Sequence, residues 1–209
     1  MRYAALLLPL LLPLAVRAQV KVSPLTPAAV PAALRHEGRV VQALRYTDRT
    51  GTYCVLTTEI APRVAPGANA ENGRRADLYA YQYQLPAATV PVLNWQVHDF
   101  VADCPLDIEA RFLPGALTVT DLDQNGTAEV WVVYRTTCRG DVSPSTQKII
   151  MREGGQKYAM RGSSRIAIGA GRYDGGEFSM DAALEKAPVA FRQYAVQLWK
   201  RRVGETLKD

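Results

Sequence analysis

The chain has 209 residues, 48% of them hydrophobic, and carries 25 Lys and Arg against 20 Asp and Glu. This length accommodates one large domain or two small ones, and a net charge of +5 is too small to indicate a nucleic-acid partner. With only His36 and His98 as histidines and no C-x-x-C pair, the sequence also argues against a zinc site of ordinary composition.

The first 18 residues have the form of a secretory signal peptide. Arg2 provides a short positive region, and the apolar stretch 4–16 that follows is too short to span a bilayer as a helix. Val16 and Ala18 fit the rule for small residues before a cleavage point, so the mature chain is expected to begin at Gln19. No later stretch is long and apolar enough to cross a membrane. The sequence therefore predicts an exported protein, periplasmic or at the cell surface, without a transmembrane segment.

Residues 19–38 are rich in Pro and Ala and are predicted to form an N-terminal arm in front of a single β-rich domain over 39–209. The first half of this domain contains four segments of strand composition. They are 39–47, 52–59, 77–85 and 92–102. Between the first two, Asp48-Arg49-Thr50-Gly51 has the composition of a tight hairpin turn. The Gly- and Pro-rich stretch 60–76 is predicted to be a long loop.

The second half of the domain shows the same arrangement. Apolar and charged residues alternate over 106–112, as in a half-buried strand, and 117–120 continues this strand beyond Pro114-Gly115. The other predicted strands are 129–135, which is apolar on both faces, and 148–152 and 157–161, which flank the turn Gly154-Gly155. We therefore predict a mainly β fold of two antiparallel four-stranded units, 39–102 and 105–168, consistent with a duplicated blade-like sheet.

One C-terminal α-helix is predicted over 188–203. Apolar residues recur there at helical spacing, Pro188 suits the first turn, and Gly204 follows the end. Basic residues in the last turn are favoured by the helix dipole. We expect this helix to pack on the sheet.

The aspartate loop, residues 121–129, has the composition of a calcium site. Ca²⁺ takes about six to eight oxygen ligands, and side chains at alternate positions of a coiled loop converge on one point. The predicted ligands are the side chains of Asp121, Asp123, Asn125 and Glu129 and the carbonyl of Thr127. The loop resembles the aspartate-rich hairpins of FG-GAP and integrin-type propeller repeats, which implies a bound Ca²⁺ between two strands. The alternative is a metal-free hairpin, because Asp, Asn and Gly also favour ordinary turns.

Tyr79, Tyr81 and Tyr83 lie on one face of the predicted strand 77–85. Such an aromatic stripe can stack on sugar rings, which makes these residues possible glycan contacts. Aromatic side chains in a β core are the commoner case, and this interpretation is favoured.

Three carboxylates are candidates for the Asp/Glu pair of a glycoside hydrolase: Asp99, Asp107 and Glu109. Asp107 and Glu109 project from the same face of a strand, where a solvated charged surface is the favoured interpretation. The sequence contains neither a Gly-x-Ser-x-Gly nucleophile motif nor a phosphate-binding loop.

Three cysteines, Cys54, Cys104 and Cys138, remain in the exported chain, so one disulfide and one free thiol are expected. If the segments on either side of the aspartate loop form one long hairpin, Cys104 and Cys138 meet near its base. If Pro114-Gly115 is instead a full turn, these two cysteines lie at opposite ends of the sheet.

The stretch 103–162 contains the segments DCPLDIEARF, VTDLDQNGTAEVW, YRTTCRGDVSPS and KYAMRG. Together they resemble a family of exported bacterial proteins labelled surface polysaccharide biosynthesis proteins. The recurrent positions of that family correspond here to Cys104, Asp121, Asp123, Gly126, Glu129, Cys138, Asp141, Ser143, Pro144, Lys157, Tyr158, Arg161 and Gly162. Cys54 is not among them, which supports a Cys104–Cys138 pair.

These observations predict an exported, non-enzymatic β module, stabilised by Ca²⁺, that acts in the cell envelope. Its expected partner is surface polysaccharide or another envelope protein. The alternative function is a carbohydrate-active hydrolase that uses an Asp/Glu pair.

Overall fold

The computed structural model describes residues 19–65, 73–115 and 117–206. The predicted signal peptide and the centre of the predicted loop 60–76 lie outside these residues. Within the described part of the chain, no helix has the length and apolar character that a membrane span requires.

The first sheet is a five-stranded antiparallel meander. Its strands are β1 (Lys21–Leu25), β2 (Arg39–Asp48), β3 (Gly51–Val64), β4 (Arg74–Gln84) and β5 (Val92–Cys104). As the turn composition predicts, β2 and β3 are joined by two residues, with Asp48 opposite Gly51. The predicted N-terminal arm contributes an edge strand, since β1 pairs with β2 along its whole length. Pro24 is compatible with this position because an edge strand has one unpaired side.

The second sheet repeats the meander. Its strands are β6 (Asp107–Phe112), β7 (Thr118–Thr120), β8 (Glu129–Arg139), β9 (Thr146–Glu153), β10 (Gln156–Ser163) and β13 (Phe178–Met180). Both β6 and β7 pair with β8, so they are two parts of one hairpin arm interrupted near Pro114-Gly115. The long-hairpin prediction is therefore confirmed. Its base carries the Cys104–Cys138 disulfide, and Cys54 is buried and free.

A small third sheet and two helices complete the fold. The strands β11 (Arg165–Ala167), β12 (Tyr173–Gly175) and β14 (Gly204–Glu205) form the sheet, in which β11 and β14 run parallel. A four-residue helix, α1 (Ala182–Glu185), precedes the predicted C-terminal helix, which is observed as α2 (Val189–Arg202). The buried Arg135 guanidinium holds the end of α2 by donating to the carbonyls of residues 202, 203 and 204 at 2.6, 3.2 and 2.9 Å.

Three apolar clusters order the molecule into layers. The largest lies between the two main sheets and includes Leu78 and Trp95 from the first and Val130 and Val132 from the second. A second cluster joins the other face of the second sheet to α1 and α2. A third lies on the outer face of the first sheet, beneath the N-terminal segment around Leu34. The two sheets therefore pack face to face between a helical layer and an N-terminal layer.

The mainly β, antiparallel fold with a C-terminal helix is confirmed. Each main sheet contains a four-stranded meander at the predicted place, over β2–β5 and β6–β10. The predicted loop 60–76 is shorter than expected, because β3 continues to Val64 and β4 already begins at Arg74. A register shift between Ile60 and Arg63 lets the pair continue through a stretch whose composition indicates a loop.

Candidate functional site

Four connections lie at one end of the two main sheets, which we call the loop end. They are the β2–β3 turn (49–50), the β4–β5 loop (85–91), the β7–β8 loop (121–128) and the β9–β10 turn (154–155). Alternate connections of a meander emerge at the same end of its sheet. Contacts between Arg49 and Gly126 bring the loop ends of the two sheets together, with the Arg49 amide donating to the Gly126 carbonyl at 3.0 Å.

The aspartate loop is folded by its own side chains. The Asp121 carboxylate accepts from the Gly126 amide at 3.2 and 3.3 Å, and the Asp123 carboxylate accepts from the Asn125 amide at 3.1 Å. Gln124 and Gly126 take left-handed backbone angles, with φ of 58° and 79°. Short polar side chains that bind the backbone two or more residues ahead stabilise such turns. These hydrogen bonds and backbone angles close the turn between β7 and β8.

Three carboxylates of the loop converge. One oxygen atom each from Asp121, Asp123 and Glu129 lies within 4.8 Å of the other two. Glu153 adds a fourth acidic group from β9, where it is directly opposite Glu129 in the strand register. The sequence analysis missed Glu153, although the hairpin signal Gly154-Gly155 and the register it sets could have located this residue.

Glu129 is the buried member of this cluster, with 0% of its surface exposed. Its carboxylate accepts from the Thr120 hydroxyl at 2.6 Å and from the Leu122 amide at 3.0 Å. Burial, with a smaller contribution from the charges of Asp123 and Glu153, raises the pKa of Glu129 to about 7, although these two hydrogen bonds lower it. Among the described residues, no cationic side chain forms an ion pair with it.

Asn125 and Thr127, which are predicted to bind through a side-chain oxygen and a backbone carbonyl, make the following side-chain contacts. The side-chain nitrogen of Asn125 donates to Asp123 at 2.9 Å and to Glu153 at 2.6 Å, and its oxygen accepts from the Thr127 amide at 2.7 Å. The Thr127 hydroxyl accepts from the Arg49 guanidinium at 3.0 Å. The structure thus brings together the three predicted carboxylates, while Asn125 would have to turn its oxygen inward to join them around a cation.

Asp48 in the β2–β3 turn binds the two sheets together. One of its oxygens accepts from the Thr50 amide, the Thr50 hydroxyl and the Gly51 amide at 2.7, 2.6 and 3.2 Å. The other accepts from the Ala128 amide of the second sheet at 2.9 Å. The β2–β3 turn is therefore hydrogen-bonded to the end of the aspartate loop and holds it against the first sheet.

The tyrosine stripe lies mostly inside the third apolar cluster. Tyr81 and Tyr83 are 4% and 6% exposed, and Tyr79 is half-buried beside them. The N-terminal segment covers the stripe, since the Glu37 amide donates to the Tyr81 hydroxyl at 3.1 Å. Tyr81 and Tyr83 therefore have little ring surface to offer a sugar.

The candidate hydrolase carboxylates are held by neighbouring cations. Asp99 binds the Lys148 ammonium at 2.5 Å, and Glu109 pairs with Arg111 on the same strand. Asp107 is exposed at the start of β6. Asp107 and Glu109 both line a cavity of about 530 Å³, together with Arg111 and Arg139. Asp99 is not among the residues that line it.

A second buried carboxylate, Asp77, was not singled out by the sequence. Its side chain is 1% exposed and binds Arg63, Arg75 and His98 at 2.8, 2.7 and 2.8 Å. Burial by itself would raise the pKa of Asp77, but the hydrogen bonds from these three groups lower it to about 2. The charge of Asp77 is thus compensated within the chain.

Comparison of the chain with protein-family models, with curated proteins and with solved structures finds no match. The resemblance to the exported polysaccharide-related family therefore stays a prediction.

Proposed function

We propose that this protein is an exported, non-enzymatic β module of the cell envelope, stabilised by one structural Ca²⁺ at the aspartate loop. The observation that carries the proposal is the convergence of Asp121, Asp123 and Glu129 within 4.8 Å, with Glu129 fully buried. In this role the module binds or supports surface polysaccharide or an envelope protein.

Other buried carboxylates of the chain provide an internal comparison. Asp77 is paired with the guanidinium groups of Arg63 and Arg75 and is in contact with the His98 ring. Glu205, whose side chain is 2% exposed, is paired with Arg139 at 2.9 Å. Asp48 lacks such a pair but accepts four hydrogen bonds. Glu129 has two donors and two acidic neighbours instead. A buried charge is costly unless it is paired, so a cation from solution is the missing partner.

The size of the effect follows from electrostatics. Two unit charges about 4.8 Å apart repel by roughly 3 kcal/mol at an effective dielectric constant of about 20. A divalent cation placed among the three carboxylates converts this repulsion into attraction. The cation also supplies the positive charge that Glu129 lacks among the described residues.

The ligand chemistry favours calcium over the other common ions. The cluster offers carboxylate oxygens on a loop rather than nitrogen or sulfur, which Zn²⁺ prefers. Mg²⁺ demands a near-ideal octahedron and retains its waters, whereas Ca²⁺ accepts irregular sites of more oxygens. Outside the cytoplasm a weak site of this kind can be filled, because dissociation constants of extracellular calcium modules are about 10⁻⁴ to 10⁻³ M.

The test is calcium titration calorimetry combined with thermal unfolding in chelator and in millimolar calcium. At ten times a dissociation constant of about 10⁻⁴ M, binding adds about 1.4 kcal/mol to the free energy of unfolding and raises the melting temperature by a few degrees. Asp123→Asn should abolish both the heat of binding and the shift. Asp174→Asn, at an exposed aspartate of β12, is the matched control and should leave both unchanged. Identical melting temperatures with and without calcium, and no heat of binding, would contradict the proposal.

A further inference from the structure

A cleft of about 440 Å³ opens at the loop end, between the two main sheets. Three of the four loop-end connections contribute to its walls. Its lining includes Tyr46, Asp48, Tyr53, Gln82, Leu93 and Asn94. Its volume lies within the range of about 300–1,000 Å³ that small-molecule sites occupy.

The floor of this cleft carries polar groups, although it lies at the edge of the apolar cluster between the two main sheets. Tyr46, Tyr53 and Gln82 are 2%, 7% and 5% exposed, and both tyrosines are members of the apolar cluster between the sheets. A relay of hydrogen bonds crosses the floor: the Asn94 amide nitrogen donates to the Gln82 oxygen at 3.3 Å, and the Gln82 nitrogen donates to the Tyr46 hydroxyl. Asn94 is the extra residue of a β-bulge between β4 and β5, and bulges re-aim side chains next to binding sites.

The relay fixes which hydrogen-bonding groups remain open. Because the Tyr46 oxygen accepts from Gln82, its own proton is unused, and none of the described residues accepts it. The Thr50 hydroxyl donates to Asp48 at 2.6 Å, so the 2.8 Å contact between Thr50 and Tyr53 has Tyr53 as the donor. Tyr46 therefore presents a donor, while Tyr53 keeps a lone pair open as an acceptor.

One charged side chain, Asp48, lies among the residues that line the cleft. The Asp48 carboxylate in the wall accepts four hydrogen bonds from Thr50, Gly51 and Ala128. The amide groups of Gln82 and Asn94 are neutral and offer both donors and acceptors. Leu93, which is 45% exposed, adds an apolar wall. The cleft therefore matches a small neutral ligand that carries several hydroxyl groups and one apolar face.

We propose that the loop-end cleft binds a single neutral sugar unit, such as a hexose or an N-acetylhexosamine at a glycan terminus. Each sugar hydroxyl both donates and accepts, which suits the mixed polar floor, and its C–H face can lie on Leu93. A peptide also offers neutral donors and acceptors, but peptides are usually bound along a sheet edge or in a long groove. The compact size of the cleft and the mixed donors and acceptors of Tyr46, Gln82 and Asn94 favour the sugar.

This inference deepens the envelope role proposed above and rests on it for the class of partner. The cleft and the aspartate loop share a wall, since Thr127 and Ala128 belong to that loop and also line the cleft. Calcium at the loop should therefore order one wall of the cleft and strengthen sugar binding.

The test uses the purified protein and a panel of methyl glycosides of neutral hexoses and N-acetylhexosamines. Saturation-transfer NMR detects binding, and the side-chain amide resonances of Gln82 and Asn94 in ¹⁵N-correlated spectra locate it. Tyr46→Phe, which removes the open donor, should weaken binding about fivefold. Because this change also leaves Gln82 without its acceptor, Asn94→Ala at an exposed position is the second variant and should weaken binding similarly. Gln96→Ala, at an exposed position of the same strand, is the matched control and should bind as the unmodified protein does.

The outcomes separate this proposal from the calcium proposal. Binding that shifts the Gln82 and Asn94 amides and is weakened about fivefold by Asn94→Ala supports the cleft. If calcium binds but no glycoside shifts the amide resonances of Gln82 and Asn94, the sugar proposal is overturned and the calcium proposal stands. If a glycoside binds but calorimetry shows no heat of calcium binding, the calcium proposal is overturned and the sugar proposal stands. The proposal is also overturned if a blocked alanine tetrapeptide shifts these amide resonances while no glycoside does, because the ligand of the cleft would then be a peptide.

Discussion

Glu129→Gln tests whether the buried charge of Glu129 destabilises the metal-free protein and is needed for calcium binding. Gln has the shape of Glu without the charge, and Glu129 is fully buried with a pKa near 7. The ordinary value for Glu is about 4.3, and each pKa unit corresponds to about 1.4 kcal/mol. In metal-free protein above pH 7, the ionised Glu129 therefore costs on the order of 3 kcal/mol of folding free energy.

The amide does not recover all of this energy. The Thr120 hydroxyl and the Leu122 amide both donate to the carboxylate, and Gln offers one acceptor oxygen where Glu offers two. A misplaced donor of this kind costs about 1–2 kcal/mol. Glu129→Gln should thus stabilise the metal-free protein at pH 8 by roughly 1–2 kcal/mol and raise its melting temperature by several degrees.

The pH dependence has a definite sign. Because the folded-state pKa of Glu129 lies above its unfolded value, the folded protein binds this proton more tightly. The contribution to stability is therefore fully present below about pH 4.3 and is lost as the pH rises through 7. The difference between Glu129→Gln and the unmodified protein should grow from pH 5 to pH 8.

The assay is urea unfolding in excess chelator at pH 5 and pH 8, followed by tryptophan fluorescence, and repeated in millimolar calcium. Calcium should stabilise the unmodified protein and leave Glu129→Gln unchanged. Glu185→Gln, at an exposed position of α1, controls for the general effect of removing a negative charge. The reasoning is refuted if Glu129→Gln loses stability at pH 8 in chelator, or if it retains the full calcium response.

Three further predictions concern the frame around the loop. Replacing Cys104 and Cys138 together by Ser removes a disulfide whose cysteines are 34 residues apart. Because the unfolded chain then gains conformational entropy, the free energy of unfolding should fall by roughly 3–4 kcal/mol, as measured by urea unfolding. An unchanged urea midpoint would contradict this estimate. The Asp48 carboxylate accepts hydrogen bonds from both sheets, and Asn offers only one acceptor oxygen in its place. Asp48→Asn should therefore lower the free energy of unfolding by about 1–3 kcal/mol and accelerate hydrogen exchange at the start of β8. Unchanged exchange there would show that this contact between the sheets is dispensable. The protein recovered from the exported fraction of a bacterial host should begin at Gln19 by intact-mass analysis, and an exported chain that retains Met1 would exclude cleavage.

Local chemistry explains which elements could be predicted from the sequence. The turns Asp48–Gly51 and Gly154-Gly155 need only adjacent residues with the right backbone preferences, so their composition located two hairpins. The Cys104–Cys138 pair was expected from the sequence on the condition that the segments around the aspartate loop form one long hairpin, and the observed register meets this condition. Helix α2 was visible because its apolar spacing and terminal residues are also local signals.

Contacts between distant segments explain what the sequence left open. The composition of the N-terminal arm does not show that β1 pairs with β2, because an edge strand containing Pro24 depends on a partner elsewhere in the chain. Likewise, the approach of Glu153 to Glu129 requires the β8–β9 register, and the hydrogen bond from Ala128 to Asp48 requires the two sheets to face each other.

The aspartate loop shows what the sequence by itself determines and what only the tertiary structure decides. Its sequence determined that carboxylates at alternate positions would share one turn, because that spacing is a property of the coiled backbone. Only the tertiary structure decided that Glu129 would be fully buried and without an ion-pair partner in the described chain, while Asp77 would be surrounded by cationic groups. Burial and charge compensation depend on which elements pack above a residue, and neighbouring residues in the sequence do not encode this packing by themselves.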